Sequence, residues 1–225
     1  MNKYLAELIG TFALVLIGAG AGSYNNISSG SIGLISVAFA HGLTVATMIY
    51  ALGHISGIHI NPAITIAMKL NGKIETKEAA GYIIAQLIGA AIAGFMLKAL
   101  FNPSIPSGYL GSTNLVRNLS PMLGVLCEGV GTFLFLMVIF GAAVDGRTAG
   151  NMAGLAIGLS LTSLILFFGP LTGGSFNPAR TFGPALASGH WDDFWVYLVG
   201  PIVGGSLAGF VQMKFFINPQ PAKLQ

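Results

Sequence analysis

Apolar residues run along this chain in long blocks, at residues 4–24, 33–53, 79–101, 121–143, 150–168 and 194–216, separated by shorter polar stretches. Each block has about 20 residues, enough to cross ~30 Å of hydrocarbon at ~1.5 Å per residue. A span in lipid must pair its own backbone groups, so it is either a helix or a strand of a closed barrel. The blocks lack the alternation of barrel strands, and the pattern predicts an all-α membrane protein with six transmembrane helices. Two shorter apolar segments, 61–70 and 177–187, begin with Asn-Pro and are too short to cross.

Composition sharpens this picture. Only 8% of the 225 residues are charged and 54% are hydrophobic, against about 25% charged in soluble domains. That excludes a soluble globular protein and predicts a single domain over residues 1–225, one bundle of six or so spans in a lipid bilayer. The net charge of +3 is spread along the chain without a basic cluster, so no nucleic-acid partner is expected. Cys127 is the single cysteine, which rules out an intrachain disulfide. The first block carries Glu7 and its pattern returns later, so it reads as a span and not as a cleaved leader.

Loop charges set an orientation. Lys3, Lys69, Lys73, Lys77, Arg147, Lys214 and Lys223 fall on one side of a six-span arrangement, and Lys98, Arg117 and Arg180 on the other. The positive-inside rule makes the first side cytoplasmic, with both termini there.

The chain also repeats itself. Glu7–Phe12 (ELIGTF) returns as Glu128–Phe133 (EGVGTF), and Ser56–Ala63 (SGIHINPA) returns as Thr172–Ala179 (TGGSFNPA). Tyr82, Gly89, Ala93 and Gly94 return as Tyr197, Gly204, Ala208 and Gly209. The offsets are 121, 116 and 115, and each half holds three spans and one short segment. Three is odd, so the second half enters the membrane from the opposite side. This predicts an inverted repeat of 1–105 and 121–216.

Within each short segment, asparagine is a favoured N-cap and proline suits the first helical turn. Asn61-Pro62-Ala63 and Asn177-Pro178-Ala179 thus predict two re-entrant half-helices whose N-termini meet near mid-membrane. Backbone that is not helical is tolerated at that depth only where it lines a protein-enclosed or watery path.

These residues resemble the aquaporin, or major intrinsic protein, family. The resemblance rests on Ala6–Phe12 (AELIGTF), Gly53–Gly57 (GHISG), His59–Ala63 (HINPA) and the stretch from Gly173 to Gly183 with Asn177–Arg180 (NPAR). It implies a passive channel for water, not an enzyme, in which four copies form a homotetramer with one pore per subunit. It also implies an integral multi-pass protein, expected in the plasma membrane, whose pore excludes protons and ions. Opposed half-helix dipoles and two asparagine amide donors would supply that barrier.

By the same resemblance Arg180 belongs to an outer constriction. Carried over by spacing from the motifs, its companions are His41, Ile165 and Gly174. Strict water channels of the family carry an aromatic and a histidine at two of these places, and glycerol facilitators carry a tryptophan and a second aromatic. The set in this chain is most similar to that of some tonoplast intrinsic proteins, a subgroup associated with water and ammonia. Met48–Gly57 looks more like the nodulin-like subgroup. An apolar Ile165 and a Gly174 without a side chain predict a wider, less polar opening, open to ammonia or other small neutral solutes. A glycerol-type facilitator is the alternative, disfavoured because facilitators carry Asp where this chain has Thr181.

Glu7 and Glu128 read as supports that accept hydrogen bonds from the re-entrant loops, His59 as a pore-wall or loop residue, and His54 as a packing residue. Nothing in the pattern calls for a catalytic residue, a cofactor or a metal ion. A secondary transporter would share the repeat architecture, but the spans offer few ionisable groups for coupling. An intramembrane enzyme has no supporting spacing among His54, His59 and the two glutamates.

Overall fold

The computed structural model describes residues 1–101, 109–147 and 150–217. Lys223 and the expected repeat boundary at 105 lie outside the described residues. Among the described residues no strand occurs. In chain order the helices that matter here are α1 (Asn2–Ile27), α2 (Gly33–Ser56), the short α3 (Pro62–Leu70), α4 (Thr76–Phe101), α5 (Pro121–Val144), α6 (Gly150–Thr172), the short α7 (Pro178–Ser188) and α8 (Val196–Ile217). All but α3 and α7 are long and apolar enough to cross a membrane.

Local chemistry sets the ends. Gly57 and Gly173 stop α2 and α6 at φ of 81° and 85°, with each N–H returned to the carbonyl four residues back. The fifth block was expected to end at 168, but α6 runs on to Thr172. Pro170 inside it costs one backbone hydrogen bond without ending the helix; the left-handed Gly173 does that. α5 begins at Ser120, whose Oγ accepts from the Leu123 N–H ahead of Pro121 at the first helical position.

The polarity of the bundle is that of a membrane protein. Ile84, Ile88 and Ile92 on α4, and Met122, Leu126, Val130 and Leu134 on α5, are exposed at four-residue intervals. Glu7, Thr11, Gln86, Glu128 and Thr132 are buried. Apolar stripes outside and polar groups inside suit lipid as the surrounding solvent.

With no hydrophobic drive between helices in lipid, close backbone approach provides the packing. A Cβ on Gly42 of α2 would run into the Gly158 carbonyl of α6, and one on Gly158 into the Gly42 carbonyl. Likewise a Cβ on Gly204 of α8 would run into the Gly129 carbonyl of α5, one on Gly94 of α4 into the Gly183 carbonyl of α7, and one on Gly183 into the Ala90 carbonyl of α4. α7 therefore packs on α4, while α3 packs on α8, so each short helix lies on the last long helix of the other half.

Candidate pore

The site is built from the two loops that lead into α3 and α7. Each is held by one buried carboxylate. Glu7 Oε1 accepts from Ser56 Oγ (2.7 Å) and the His59 N–H (2.8 Å), and its Oε2 accepts from the Ile60 N–H (2.7 Å) and Gln86 Nε2 (2.8 Å). Glu128 Oε1 accepts from Thr172 Oγ1 (2.6 Å) and the Ser175 N–H (3.1 Å), and its Oε2 accepts from the Phe176 N–H (2.7 Å). Tyr82 and Tyr197 close the same loops, each hydroxyl donating to a carbonyl, of Ser56 at 2.9 Å and Thr172 at 2.7 Å.

These anchors hold unfavourable backbone. Ile58, Ile60 and Phe176 have φ of 47°, 44° and 53°, a region that costs a residue with a Cβ on the order of 1–3 kcal/mol. A carboxylate accepting several N–H bonds keeps such a loop in place.

At the loop ends Asn61 and Asn177 cap their helices in extended conformation. Asn61 Oδ1 accepts from the Ala63 N–H at 2.8 Å, and Asn177 Oδ1 from the Ala179 and Arg180 N–H groups at 3.0 and 3.2 Å. Pro62 and Pro178 take the first helical positions, where no N–H is needed. The amide nitrogens reach across: Asn61 Nδ2 donates to the Phe176 carbonyl and Asn177 Nδ2 to the Ile60 carbonyl, both at 2.8 Å. The two half-helix starts are thus latched to each other. An amide nitrogen carries two N–H groups, so each asparagine retains one beyond its latch.

A cavity of about 460 Å³ runs past both asparagines. Val45, Ile49, Ile64, Phe135, Ile139 and Leu161 give it apolar walls, Lys73 lies at one end, and His41 and Arg180 lie at the other. Arg180 is buried, and its guanidinium donates from Nε to His41 Nε2 (3.2 Å) and from Nη1 to the Gly111 carbonyl (2.7 Å). His41 Nδ1 faces the Val37 carbonyl at 2.9 Å. A carbonyl only accepts, so the proton sits on Nδ1 and Nε2 is free to accept from Arg180. Gly18 of α1 makes room for the ring, since a Cβ there would fall 2.5 Å from His41 Cδ2.

The four constriction candidates thus fall into two pairs. His41 and Arg180 are hydrogen-bonded and face the cavity. Ile165 and Gly174 lie side by side, a Gly174 Cβ being 3.4 Å from Ile165 Cα, but neither lines this cavity. Leu161, one turn before Ile165, and Ser175, next to Gly174, line it instead. His59 also lines it, with Nδ1 3.1 Å from Thr65 Oγ1. His54, expected to pack, is exposed on α2, because the buried face of that helix follows His41, Gly42, Val45 and Ala46.

Two participants escaped the sequence reading. Gln86 bridges Glu7 and Thr65; a single polar residue inside an apolar block was its signal. Gly111 contributes only a carbonyl, which any residue has. Its φ of 70° and its contact with the Ala19 carbonyl explain the glycine, but neither is visible in sequence.

Comparison with known proteins bears on family and fold. The family described as MIP, major intrinsic protein, matches residues 1–212. Aquaporin TIP4-4 of Zea mays is 42% identical over 225 residues, covering 96% of this chain and 87% of the relative. Aquaporin NIP1-1 of Zea mays is 38% identical over 211 residues, covering 91% and 71%. Aquaporin AqpM of Methanothermobacter thermautotrophicus is 40% identical over 231 residues, covering 92% and 94%. The solved structure titled as the aquaglyceroporin from Plasmodium falciparum matches with a TM-score of 0.85 at 26% identity, covering 95% of this chain and 96% of that one.

Proposed function

This chain belongs to the major intrinsic protein family, and on that footing we propose that its pore conducts water and ammonia, with other small neutral solutes, while excluding protons and ions. As a member it is an integral multi-pass membrane channel for water and small solutes, not an enzyme. The observation that carries the finer reading is the end of the cavity. There a buried Arg180 is hydrogen-bonded to His41 and both line the cavity, with the apolar Leu161 among its walls.

Ions are excluded by fixed charge. Each half-helix start carries roughly half a positive elementary charge, and the latch of Asn61 and Asn177 sets these two starts against each other. Arg180 adds a full charge in a buried, low-dielectric place, where repulsion of a cation is strong. The remaining N–H of each asparagine can hold the oxygen of a central water. A water so held has its hydrogens turned outward and is a poor link in a proton-conducting file. Ammonia passes because it is neutral, small and able to accept from Arg180 or the asparagines.

The proposal includes the chain's organisation. The halves 1–105 and 121–216 act as an inverted repeat around Asn61 and Asn177. Glu7, Glu128 and His59 support the loops, and four copies assemble with one pore each. Both termini face the cytoplasm of a cell whose plasma membrane holds the channel. Glycerol is the second reading, favoured by the match to a structure titled as an aquaglyceroporin. Against it, the place after Arg180 is held by Thr181, whose Oγ1 is tied to Ser175 Oγ at 2.6 Å and Thr113 Oγ1 at 3.1 Å.

Stopped-flow light scattering on proteoliposomes tests the proposal. Water efflux should accelerate over empty vesicles with a low activation energy, and an ammonia gradient should shift internal pH faster than in empty vesicles. Equal ammonia rates in the two would remove the ammonia claim, and vesicles that take up protons through the protein would remove ion exclusion.

A further inference from the structure

Arg180 stands three residues into α7, and His190 stands just past that helix's last residue, Ser188. Both hold the same loop. Arg180 Nη1 donates to the Gly111 carbonyl, and His190 Nε2 is hydrogen-bonded to Asn114 Oδ1. Between them, Thr113 Oγ1 pairs with Thr181 Oγ1 at 3.1 Å and Ser112 Oγ approaches Ser188 Oγ at 3.5 Å. The His190 ring also lies against Tyr109, with centroids 4.8 Å apart. Residues 109–114 are therefore pinned along the whole of α7, with Arg180 at one end and His190 at the other.

The direction of the His190 bond is fixed by its surroundings. Asn114 Nδ2 donates to the Ser112 carbonyl at 3.3 Å, so the amide oxygen is the atom that faces the imidazole. Nε2 must then be the donor. His190 is itself held: its backbone N–H donates to Ser188 Oγ at 3.2 Å, and Gly189 ends α7 at φ 79° with its N–H on the Ala185 carbonyl. Next along, Trp191 packs edge-on against Phe182 of α7, with centroids 6.1 Å apart. Asp192 Oδ2 lies 3.8 Å from His190 Nδ1.

We infer that His190 is a positioning residue for the outer constriction, setting solute selectivity by holding the loop whose Gly111 carbonyl orients Arg180. This rests on the reading of Arg180 as that constriction. The guanidinium has two anchors, His41 on α2 and Gly111 on the loop. Loss of the loop anchor frees Nη1 and lets the guanidinium swing about its bond to His41. The opening then widens for solutes larger than water, while the two asparagines and the water path stay as they were. A side chain outside the cavity lining thereby governs what the cavity passes.

The test compares permeability to urea with permeability to water in proteoliposomes of the full chain. His190→Ala should raise the urea-to-water ratio by roughly fivefold, about what losing one hydrogen bond allows. Asn114→Leu should do the same from the loop side, and it serves where His190→Ala does not fold. His190→Gln keeps an N–H at comparable reach and should return the ratio to within about twofold of wild type, a rescue that a purely structural role of the ring would not give. Hydrogen exchange at residues 111–114 should speed up in the first two variants and not in the third. An unchanged ratio in both His190→Ala and Asn114→Leu, in a wild-type background that conducts water, overturns this inference alone. A wild-type chain that conducts no water overturns the channel reading with it.

Discussion

Glu7 and Glu128 hold two loops by the same device but with different partners. Glu7 accepts from four donors, one of them Gln86, whereas Glu128 accepts from three. Replacing either by glutamine turns one acceptor oxygen into a donor that faces a backbone N–H. Glu7→Gln and Glu128→Gln should each lower stability by about 1–3 kcal/mol, the cost of a buried group left unpaired, measured as earlier thermal unfolding in detergent. Cys127 is half-buried against the apolar core and lines no part of the cavity. Submillimolar mercury should therefore leave water flux unchanged, and strong block would show that the pore runs elsewhere. At this scale the sequence exposed the residues but not their partners. Glu7 and Glu128 stood out as carboxylates in apolar blocks. That Arg180 rests on the Gly111 carbonyl depends on a loop path that no side chain encodes.

Elements were the most legible scale. Six blocks of hydropathy became six long helices, because an apolar run in lipid has little choice but to pair its own backbone. Asn-Pro marked both short helices, because cap and first turn are local chemistry. What hydropathy could not give was which helix lies on which, since the few buried polar groups mark an inward face without naming the neighbour. That is decided by glycines. A Cβ on Gly183 would strike the Ala90 carbonyl and push α7 away from α4. Gly183→Ala should cost about 1–3 kcal/mol as an overpacking change and should reduce water permeability, since Arg180 lies three residues earlier. Gly146→Ala, where a Cβ would meet nothing within 4 Å, should change stability by less than ~0.5 kcal/mol. Stopped-flow and melting curves on the pair would separate a packing effect from a general intolerance of alanine.

Across the whole molecule, the last turn of α8 is tied to the loop that follows α5. Arg147 donates to Asp145 through its backbone N–H (3.0 Å), Nε (2.8 Å) and Nη2 (2.6 Å), and Nη2 also donates to the Phe216 carbonyl at 2.6 Å. The Arg147 side chain and N–H together hold the Asp145 carboxyl down to about 2. A depressed carboxyl contributes stability above its unfolded value of ~3.9. That contribution fades as pH falls from there toward about 2. Protection of the amides over residues 212–217, after division by the intrinsic exchange rate at each pH, should stay high at pH 5 and fall on acidification into that window, and Asp145→Asn should abolish the dependence.

The latch between the two half-helix starts also constrains how the chain is made. Asn61 Nδ2 has its partner at Phe176, and the Ile60 carbonyl has its partner at Asn177, more than a hundred residues later. While the ribosome is still translating the second half, the first re-entrant loop has a donor and an acceptor with nothing to meet them. α3 likewise lacks α8, the long helix it packs on. Glu7 and Tyr82 can hold the first loop from within its own half, but the crosswise latch can close only once Phe176 and Asn177 are in place. Two fragments divided between Phe101 and Pro121 should accordingly each fail alone and form a working pore only when synthesised side by side.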